Sequence, residues 1–371
     1  MLRYPILSLR SKEFLTRQFI QKQIKNAWII LTEDPAYATP NLSTWFRKNR
    51  SLGSRDRKIV SEVLFILIRF QHSFSKLGLQ ELDEIFELLQ HDSWPEITDP
   101  SIEDIACFLS LDPAIIQEWS QALSKSELII LSNHLQSRAP IDIRINPRKT
   151  SREQQIRLLR EKNITAQIIE NTALGIRIEQ RANLQGLQSY RNGAFEIQDA
   201  ASQIFCQAIP ISSKASVLDM CSGAGGKSLT LKALYPELTI FAQEPRSNAR
   251  KELQKRAQRA GVVIAQSWPI KPVDIVIIDA PCSGLGRLRR EPTLRFRWQQ
   301  QSIKQFITVQ QQLLKQAQSY VNKSGVIVYA TCSLLDAENT HDLEGWQRDT
   351  TLIWPHQQNC DGFGYSIYTR K

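Results

Sequence analysis

The spacing of apolar and polar residues changes twice along the chain. Up to about residue 135, apolar residues recur at helical intervals, which predicts amphipathic helices over Phe19–Leu31, Ile59–Phe70, Leu79–Leu89 and Ile102–Leu109. Residues 136–200 hold short alternating or β-branched runs, of which Pro140–Pro147 is an example, around one helix near 152–162. The pattern therefore predicts an all-α domain over residues 1–135 and a small α/β module over residues 136–200.

The third part of the chain, residues 201–371, alternates short apolar runs with amphipathic ones. The short runs predict strands over Ser216–Asp219, Thr239–Ala242, Val273–Asp279 and Val326–Ala330. Helical patterns separate them, the longest at Ile303–Val321. Strands that alternate with helices are typical of a mostly parallel sheet covered on both faces. We therefore expect an α/β fold for this part.

A glycine-rich turn follows the first of these strands. It consists of Cys221, Ser222, Gly223, Ala224, Gly225, Gly226 and Lys227, and a helix follows. Glycines let the backbone approach a ligand closely, and a helix N-terminus offers free N–H groups. Glu244 ends the second strand, about 20 residues on, where an acid can bind ribose hydroxyls. The spacing suits S-adenosylmethionine and a nicotinamide dinucleotide alike, whereas the first glycine that a triphosphate loop needs is absent.

Two cysteines directly follow the third and fourth strands. Cys282 lies in the run Asp279–Gly284, and Cys332 lies in the run Thr331–Ser333. Ligands of open α/β sheets bind at the carboxyl ends of the strands, so these thiols are candidate catalytic groups. The six cysteines show no metal-ligand spacing, and we expect no metal site and reduced thiols.

Taken together, these motifs resemble the RNA 5-methylcytosine methyltransferases of the Sun/NOL/NOP family. The stretches that match are Asp219–Lys227, Asp279–Gly284 and Thr331–Ser333, with weaker matches at Phe195–Asp199 and Asp361–Phe363. The resemblance covers about residues 138–371. It implies a Rossmann-like methyltransferase domain with S-adenosyl-L-methionine as cofactor. The helical first domain is similar to the NusB-like RNA-binding extension of the bacterial ribosomal-RNA members, with Arg55–Arg57 as a local match.

The resemblance also implies roles for single residues. Cys332 would be the nucleophile that attacks carbon 6 of cytosine, Cys282 would help to release the product, and Asp279 would line the cofactor pocket and hydrogen-bond the base. The chain departs from the family at two places. Ala224 replaces a proline of the glycine loop, and no acid stands near Gln266. We expect Gln266 or Ser267 to hydrogen-bond the adenine instead.

The charge of the chain favours a polyanionic partner. The formal net charge is +10 and the pI is about 9.3, and arginine side chains can grip phosphates and stack on bases. An arginine-rich stretch with aromatic residues, including Trp298, follows Cys282 directly. The residues predicted to bind RNA are Arg144, Asn146, Arg287, Arg289, Arg290, Arg295 and Arg297. We expect ribosomal RNA rather than transfer RNA.

The sequence leaves a rival function open. A catalytically degenerate RNA-binding ribosome-assembly factor would keep the fold and tolerate the loss of Cys332. A nicotinamide oxidoreductase would leave both thiols unexplained. The longest apolar run, Val63–Ile68, is far too short for a membrane span, so we expect a cytoplasmic protein with no membrane partner. We also expect the protein to be a monomer.

Overall fold

The computed structural model describes residues 1–33, 38–297 and 300–371. The chain forms two compact units. One contains residues 1–138 and a short stretch that begins at Arg287, and the other contains residues 139–286 and the chain from residue 300 onward. The predicted boundary after residue 135 lies three residues from this division. The boundary predicted after residue 200 falls inside the second unit, and the arginine-rich stretch belongs to the first.

The first unit is helical, as the apolar spacing predicts. Its helices are Leu9–Leu15, Gln18–Glu33, Ala38–Lys48, Ser54–Arg69, Gln71–Lys76, Leu82–His91, Ile102–Leu109, Pro113–Trp119, Lys125–Gln136 and Leu294–Arg297. Several begin at side-chain caps. Ser101 and Asp104 exchange hydrogen bonds in a capping box, and so do Ser124 and Glu127. Each cap satisfies backbone N–H groups that the first helical turn leaves unpaired.

The second unit begins with a small antiparallel sheet. Its strands are β1 (Ile141–Ile145), β2 (Ala166–Ile168), β3 (Gly175–Ile178) and β4 (Phe195–Ile197), in the order β2-β3-β1-β4. The helices of this region are Arg152–Arg160, Gln188–Arg191 and Ala200–Ala208. Ile143, Leu159, Ile176 and Phe195 form its buried core. The predicted small α/β module therefore has its own core, although it belongs to a larger unit.

A six-stranded sheet forms the rest of the second unit. Its strands are β5 (Ser216–Asp219), β6 (Thr239–Ala242), β7 (Val273–Asp279), β8 (Val321–Thr331), β9 (Trp346–Ile353) and β10 (Phe363–Arg370), in the order β6-β5-β7-β8-β10-β9. The pairings among β5 to β8 are parallel, and β10 pairs antiparallel with β8 and β9. The helices are Gly226–Leu234, Ser247–Ala260, Gln300–Ala317 and Pro355–Gln358. The predicted α/β fold is confirmed.

Alternate residues of the central strands enter two different cores. Val217 and Ile277 pack in one buried cluster, whereas Leu218 and Ile278 pack in another. A strand with both faces buried reads as a continuous apolar run, which is the pattern that β7 shows in the sequence. Among the described residues, no helix is long and apolar enough to cross a membrane.

Candidate active site

The carboxyl ends of four parallel strands bring the sequence motifs to one edge of the large sheet. The glycine loop follows β5, Glu244 follows β6, Asp279 ends β7 and Cys332 follows β8. Because β5 lies between β6 and β7, and β7 pairs with β8, these ends are neighbours. In parallel sheets this edge is where ligands bind.

The glycine loop forms a tight turn before the helix Gly226–Leu234. Gly223 and Gly225 have φ values of +53° and +80°, a conformation that favours glycine. A Cβ at Gly225 would lie 2.8 Å from Cγ of Leu253, whereas a Cβ at Gly223 would meet no atom closer than 4.0 Å. The loop is therefore packed on one side and open at Gly223. Ser222 ties it to the end of β6, since its backbone N–H and its hydroxyl donate to the carbonyl oxygen of Gln243, at 2.9 and 3.1 Å.

Glu244 presents a buried, ionised carboxylate beside this loop. It accepts hydrogen bonds from Nε, Nη2 and the backbone N–H of Arg246, at 2.7, 3.0 and 2.9 Å. These bonds lower the pKa of Glu244. The Arg246 side chain is 74% exposed, and each carboxylate oxygen can accept more than one hydrogen bond. Glu244 therefore keeps acceptor capacity for a ligand hydroxyl.

Asp219, at the end of β5, holds a second buried carboxylate that the sequence analysis did not select. Its Oδ2 accepts a hydrogen bond from Ser228 Oγ at 2.6 Å, and its Oδ1 is buried with no hydrogen-bond partner among the described residues. Burial raises the pKa of Asp219 to about 6. An orphaned acceptor, an open glycine loop and Glu244 fit a nucleoside-type cofactor such as S-adenosylmethionine.

Lys227 and Asp279 form a close ion pair between the loop and β7. Lys227 Nζ lies 2.5 Å from Asp279 Oδ2, and the lysine side chain is 11% exposed. The ammonium also stands over the rings of Phe363 and Phe205, at 5.1 and 5.8 Å from their centroids. Burial opposes the lysine charge, but Asp279 outweighs it and raises the pKa of Lys227. The structure thus joins two predicted site residues in one charged pair.

The two predicted cysteines face each other. Sγ of Cys282 lies 3.4 Å from Sγ of Cys332, both side chains are half-buried, and the two sulfur atoms form no disulfide. The hydrogen bond to Cys332, burial and the neighbouring charges raise the pKa of Cys282 well above that of an ordinary thiol. Cys206 and Cys360, by contrast, are fully buried in the apolar core of the sheet. The geometry separates one thiol pair from the packing cysteines.

Three predicted RNA-binding residues are buried and use their polar groups inside the protein. Arg144 is 3% exposed and donates to Gln198 Oε1 at 2.9 Å. Asn146 donates to the carbonyl oxygens of Gly193 and Ala260, at 3.2 and 2.9 Å. Arg295, 6% exposed, donates to the carbonyl oxygen of Arg69 at the end of helix Ser54–Arg69. Because these polar groups are buried and bonded within the protein, we do not expect the three residues to contact RNA.

The other predicted contacts lie nearer the surface. Arg287 pairs with Glu291 at 3.1 Å, Arg289 contacts His134 Nε2 at 2.8 Å, and Arg290 is half-buried. The Arg297 side chain and all of Trp298 lie outside the described residues. Gln266 is exposed, and its Nε2 donates to the carbonyl oxygen of Arg250 at 3.4 Å.

Fold and site together define a class: an S-adenosylmethionine-dependent methyltransferase with a paired-thiol centre. Residues 207–350 match the family model described as 16S rRNA methyltransferase RsmB/F. Residues 115–185 match the ferredoxin-like domain of the RsmF/B-like methyltransferases. The two matches cover more than half of the chain, which belongs to this methyltransferase family. The expected family, fold class and cofactor are thereby confirmed.

Curated relatives are similar to the chain over part of their length. A probable ribosomal RNA small subunit methyltransferase B of Synechocystis is 29% identical over 248 residues, which are 63% of this chain and 56% of the relative. Ribosomal RNA small subunit methyltransferase B of Proteus mirabilis is 27% identical over 263 residues, which are 66% of this chain and 62% of the relative. The chain thus matches less than two thirds of either relative.

Solved structures share the fold. The crystal structure of PH0851 has a TM-score of 0.74 at 18% identity, and the match covers 99% of this chain and 100% of that one. The structure of NSun6 from Pyrococcus horikoshii with SFG has a TM-score of 0.60 at 15% identity, and the match covers 68% of this chain and 97% of that one.

Proposed function

We propose that this protein methylates carbon 5 of a cytosine in RNA, with small-subunit ribosomal RNA as the substrate. The observation that carries the proposal is the thiol pair. Cys282 and Cys332 lie with their sulfur atoms 3.4 Å apart at the sheet edge that also holds the cofactor cradle. A methyltransferase that acted on a more nucleophilic atom would need no thiol at this place.

A thiol can make up for the low nucleophilicity of the cytosine base. Carbon 5 of cytosine is a poor nucleophile, and S-adenosylmethionine, when bound, supplies an electrophilic methyl group. Addition of the Cys332 thiolate to carbon 6 forms an S–C bond and moves an electron pair into the ring, which makes carbon 5 enamine-like. Carbon 5 then takes the methyl group while the bond from that group to the sulfonium breaks, and the demethylated cofactor is the leaving group. Loss of the carbon 5 proton to a base restores the double bond as the S–C bond to Cys332 breaks. Cys282 lies close enough to Cys332 to assist this release.

Asp279 is the group proposed to bind the cytosine ring. Its carboxyl is 35% exposed and is held by Lys227, so its oxygens can accept a hydrogen bond from the exocyclic amine, and from ring nitrogen 3 once that nitrogen is protonated in the carbon 6 adduct. Because the Cys332 thiolate must approach carbon 6 from one face of the ring, we infer that the target base is flipped out of any stack.

The proposed substrate rests on charge and on the relatives. The chain has a net charge of +10, and the proposed RNA contacts are Arg287, Arg289, Arg290 and Arg297. Both curated relatives described above are named for methylation of small-subunit ribosomal RNA. We propose that this protein acts in the cytoplasm as a monomer.

The test is transfer of labelled methyl groups from S-adenosylmethionine to protein-free small-subunit ribosomal RNA, with nucleoside analysis of the product. Wild type is compared with Cys332→Ala and Cys282→Ala, and Cys107→Ala serves as a control because it removes a half-buried thiol of the helical unit. We expect label in 5-methylcytosine with wild type and the control. We expect none with Cys332→Ala, and a protein–RNA adduct that survives denaturation with Cys282→Ala.

Other results would refute parts of the proposal. Label in a different nucleoside would exclude carbon 5 as the acceptor. Cofactor binding without transfer to ribosomal or transfer RNA would favour the assembly-factor function. Transfer by Cys332→Ala at the wild-type rate would exclude the covalent mechanism.

A further inference from the structure

Two adjacent, fully buried polar residues hydrogen-bond the loops that carry the two thiols. Glu338 and Asn339 follow β8, at the end of the short 3₁₀ turn Asp336–Glu338, and each is 0% exposed. A buried carboxylate and a buried amide are costly unless hydrogen bonds satisfy them. The hydrogen-bond partners of Glu338 and Asn339 therefore indicate the role of these side chains. The partners include residues of the two loops that carry the cysteines.

Glu338 holds the loop of Cys282. Its Oε1 accepts from the backbone N–H of Ser283 at 2.9 Å, and its Oε2 accepts from the Ser283 hydroxyl at 2.5 Å. Gln310 Nε2 donates to the same Oε1 at 3.3 Å and to the carbonyl oxygen of Pro281 at 2.9 Å. Because a backbone N–H and an amide N–H can only donate, these contacts fit the ionised carboxylate. The residues on both sides of Cys282 are thus fixed by one negative charge and its amide neighbour.

Asn339 holds the loop of Cys332. Its Nδ2 donates to the carbonyl oxygens of Ser333 and Leu335, at 3.2 and 2.8 Å, and its Oδ1 accepts from the Thr331 hydroxyl at 2.7 Å. The side chain is neutral. A buried side chain therefore hydrogen-bonds each cysteine loop, but only the side chain that bonds the Cys282 loop, that of Glu338, is a carboxylate.

The surroundings of Cys282 favour the neutral thiol. The groups that interact electrostatically with Cys282 are Cys332, the Glu338 carboxylate and the Tyr329 hydroxyl, and the backbone N–H of Gly284 is a weaker opposing influence. After the contact with Cys332 and burial, the charges of Cys332 and Glu338 add to the rise in the pKa of Cys282. A thiol that keeps its proton can donate it to the other sulfur, 3.4 Å away.

We infer that Glu338 is a positioning residue that divides the labour of the two thiols: it fixes the Cys282 loop and disfavours the thiolate at Cys282, so that Cys332 carries the negative charge. This rests on the proposed function for the roles of the cysteines. The charge relation itself needs neither RNA nor cofactor, and it can be tested without them.

The test is alkylation of the full-length protein by iodoacetamide between pH 6 and 10, with the two cysteine peptides quantified separately by mass spectrometry. In wild type, Cys332 should react with the lower pH midpoint. Glu338→Gln keeps groups that can bond Ser283 but removes the charge. We expect its Cys282 to show a lower midpoint and to react about tenfold faster at pH 8, as expected when a like charge at close range is removed.

Two controls separate charge from structure. Ser283→Ala loosens the loop and keeps the carboxylate, so it should change the Cys282 rate at all pH values without moving the midpoint. Glu344→Gln removes an exposed carboxylate of the same unit and should change nothing. An unchanged Cys282 midpoint in folded Glu338→Gln would overturn the inference. If that variant fails to fold, a wild-type midpoint for Cys282 at or below that of Cys332 overturns it equally. A failure of RNA methylation alone would contradict only the proposed function.

Discussion

Replacing Asp219 with asparagine should stabilise the protein at neutral pH and weaken cofactor binding. Asp219 is 1% exposed, its Oδ1 has no hydrogen-bond partner among the described residues, and its one strong partner is the Ser228 hydroxyl. A hydroxyl can also accept, so an asparagine amide can donate to Ser228 in the same place. The substitution therefore removes a poorly compensated charge while it keeps the shape of the side chain.

The size of the effect follows from the pKa of Asp219. Burial raises that pKa from its ordinary value of 3.8 to about 6 in the folded protein. At about 1.36 kcal/mol for each pKa unit, the ionised carboxylate costs the folded state at most about 3 kcal/mol above pH 6. The cost disappears at low pH, because the folded carboxyl takes up its proton. The folded state is therefore free of this cost below pH 4, and it bears the cost in full once pH has risen through 6. Asparagine carries no such dependence.

The assay is urea-induced unfolding of wild type and Asp219→Asn at pH 8, 6 and 4.5. The variant should be more stable by up to about 3 kcal/mol at pH 8, and this advantage should shrink steadily toward pH 4.5. Asp274→Asn is the matched control, because hydrogen bonds from Ser216 lower the pKa of Asp274. That variant should lose stability at pH 8, and the loss should persist at pH 6. Cofactor affinity, measured by calorimetry, should fall for Asp219→Asn and not for Asp274→Asn.

Two results would refute this reasoning. If Asp219→Asn were less stable than wild type at pH 8, the carboxylate would be compensated by groups that the structure does not show. If its advantage were independent of pH, the gain would come from packing rather than from the lost charge.

Two further substitutions test the architecture. Gly286→Ala would place a Cβ 2.2 Å from the backbone carbonyl oxygen of Gly362, so the loop after the first thiol must move, and methyl transfer should fall by about 100-fold. Gly53→Ala is the control and should keep methyl transfer, because its Cβ would meet only Asp56 Oδ2, at 3.6 Å, and its φ is −66°. Asp142→Asn would break a buried bidentate pair with Arg177, whose two N···O distances are 2.8 and 2.9 Å, and urea-induced unfolding should show a loss of about 3 kcal/mol with unchanged alkylation of the thiol pair.

The sequence predicted best those strands whose own residues form a recognisable apolar run. β5, β6 and β7 have the predicted bounds, because each is a compact apolar run between a polar turn and a helix. β9 was missed. It lies at the edge of the sheet, where exposed and half-buried polar residues from Gln347 to Thr351 replace a continuous apolar pattern. β10 was missed as well, since its pairing with β8 and β9 depends on contacts far apart in the sequence.

The candidate site divides in the same way. The glycine loop and the two cysteines are local motifs at strand ends, and the structure brings them to one edge as predicted. Glu338 could not be selected, because its role comes from contact with Ser283, which lies 55 residues earlier in the chain. The burial of Arg295 could not be predicted either, because its partner, the carbonyl oxygen of Arg69, is also far away in the sequence. An arginine-rich stretch looks the same in sequence whether its guanidinium groups face solvent or the carbonyl groups of a neighbouring helix.

The structure also decides a question that the glycine loop leaves open, namely which cofactor charge the site favours. Cys221, at the start of the loop, reports the local potential: after burial, the charges of Asp219, Asp279 and Glu244 raise the pKa of its thiol to about 12. The nearby Lys227 is already paired with Asp279. A pyrophosphate would add negative charge to three carboxylates, whereas the sulfonium of S-adenosylmethionine brings a positive charge to them. The carboxylates at this edge are thus the groups that select a cationic methyl donor over a dinucleotide.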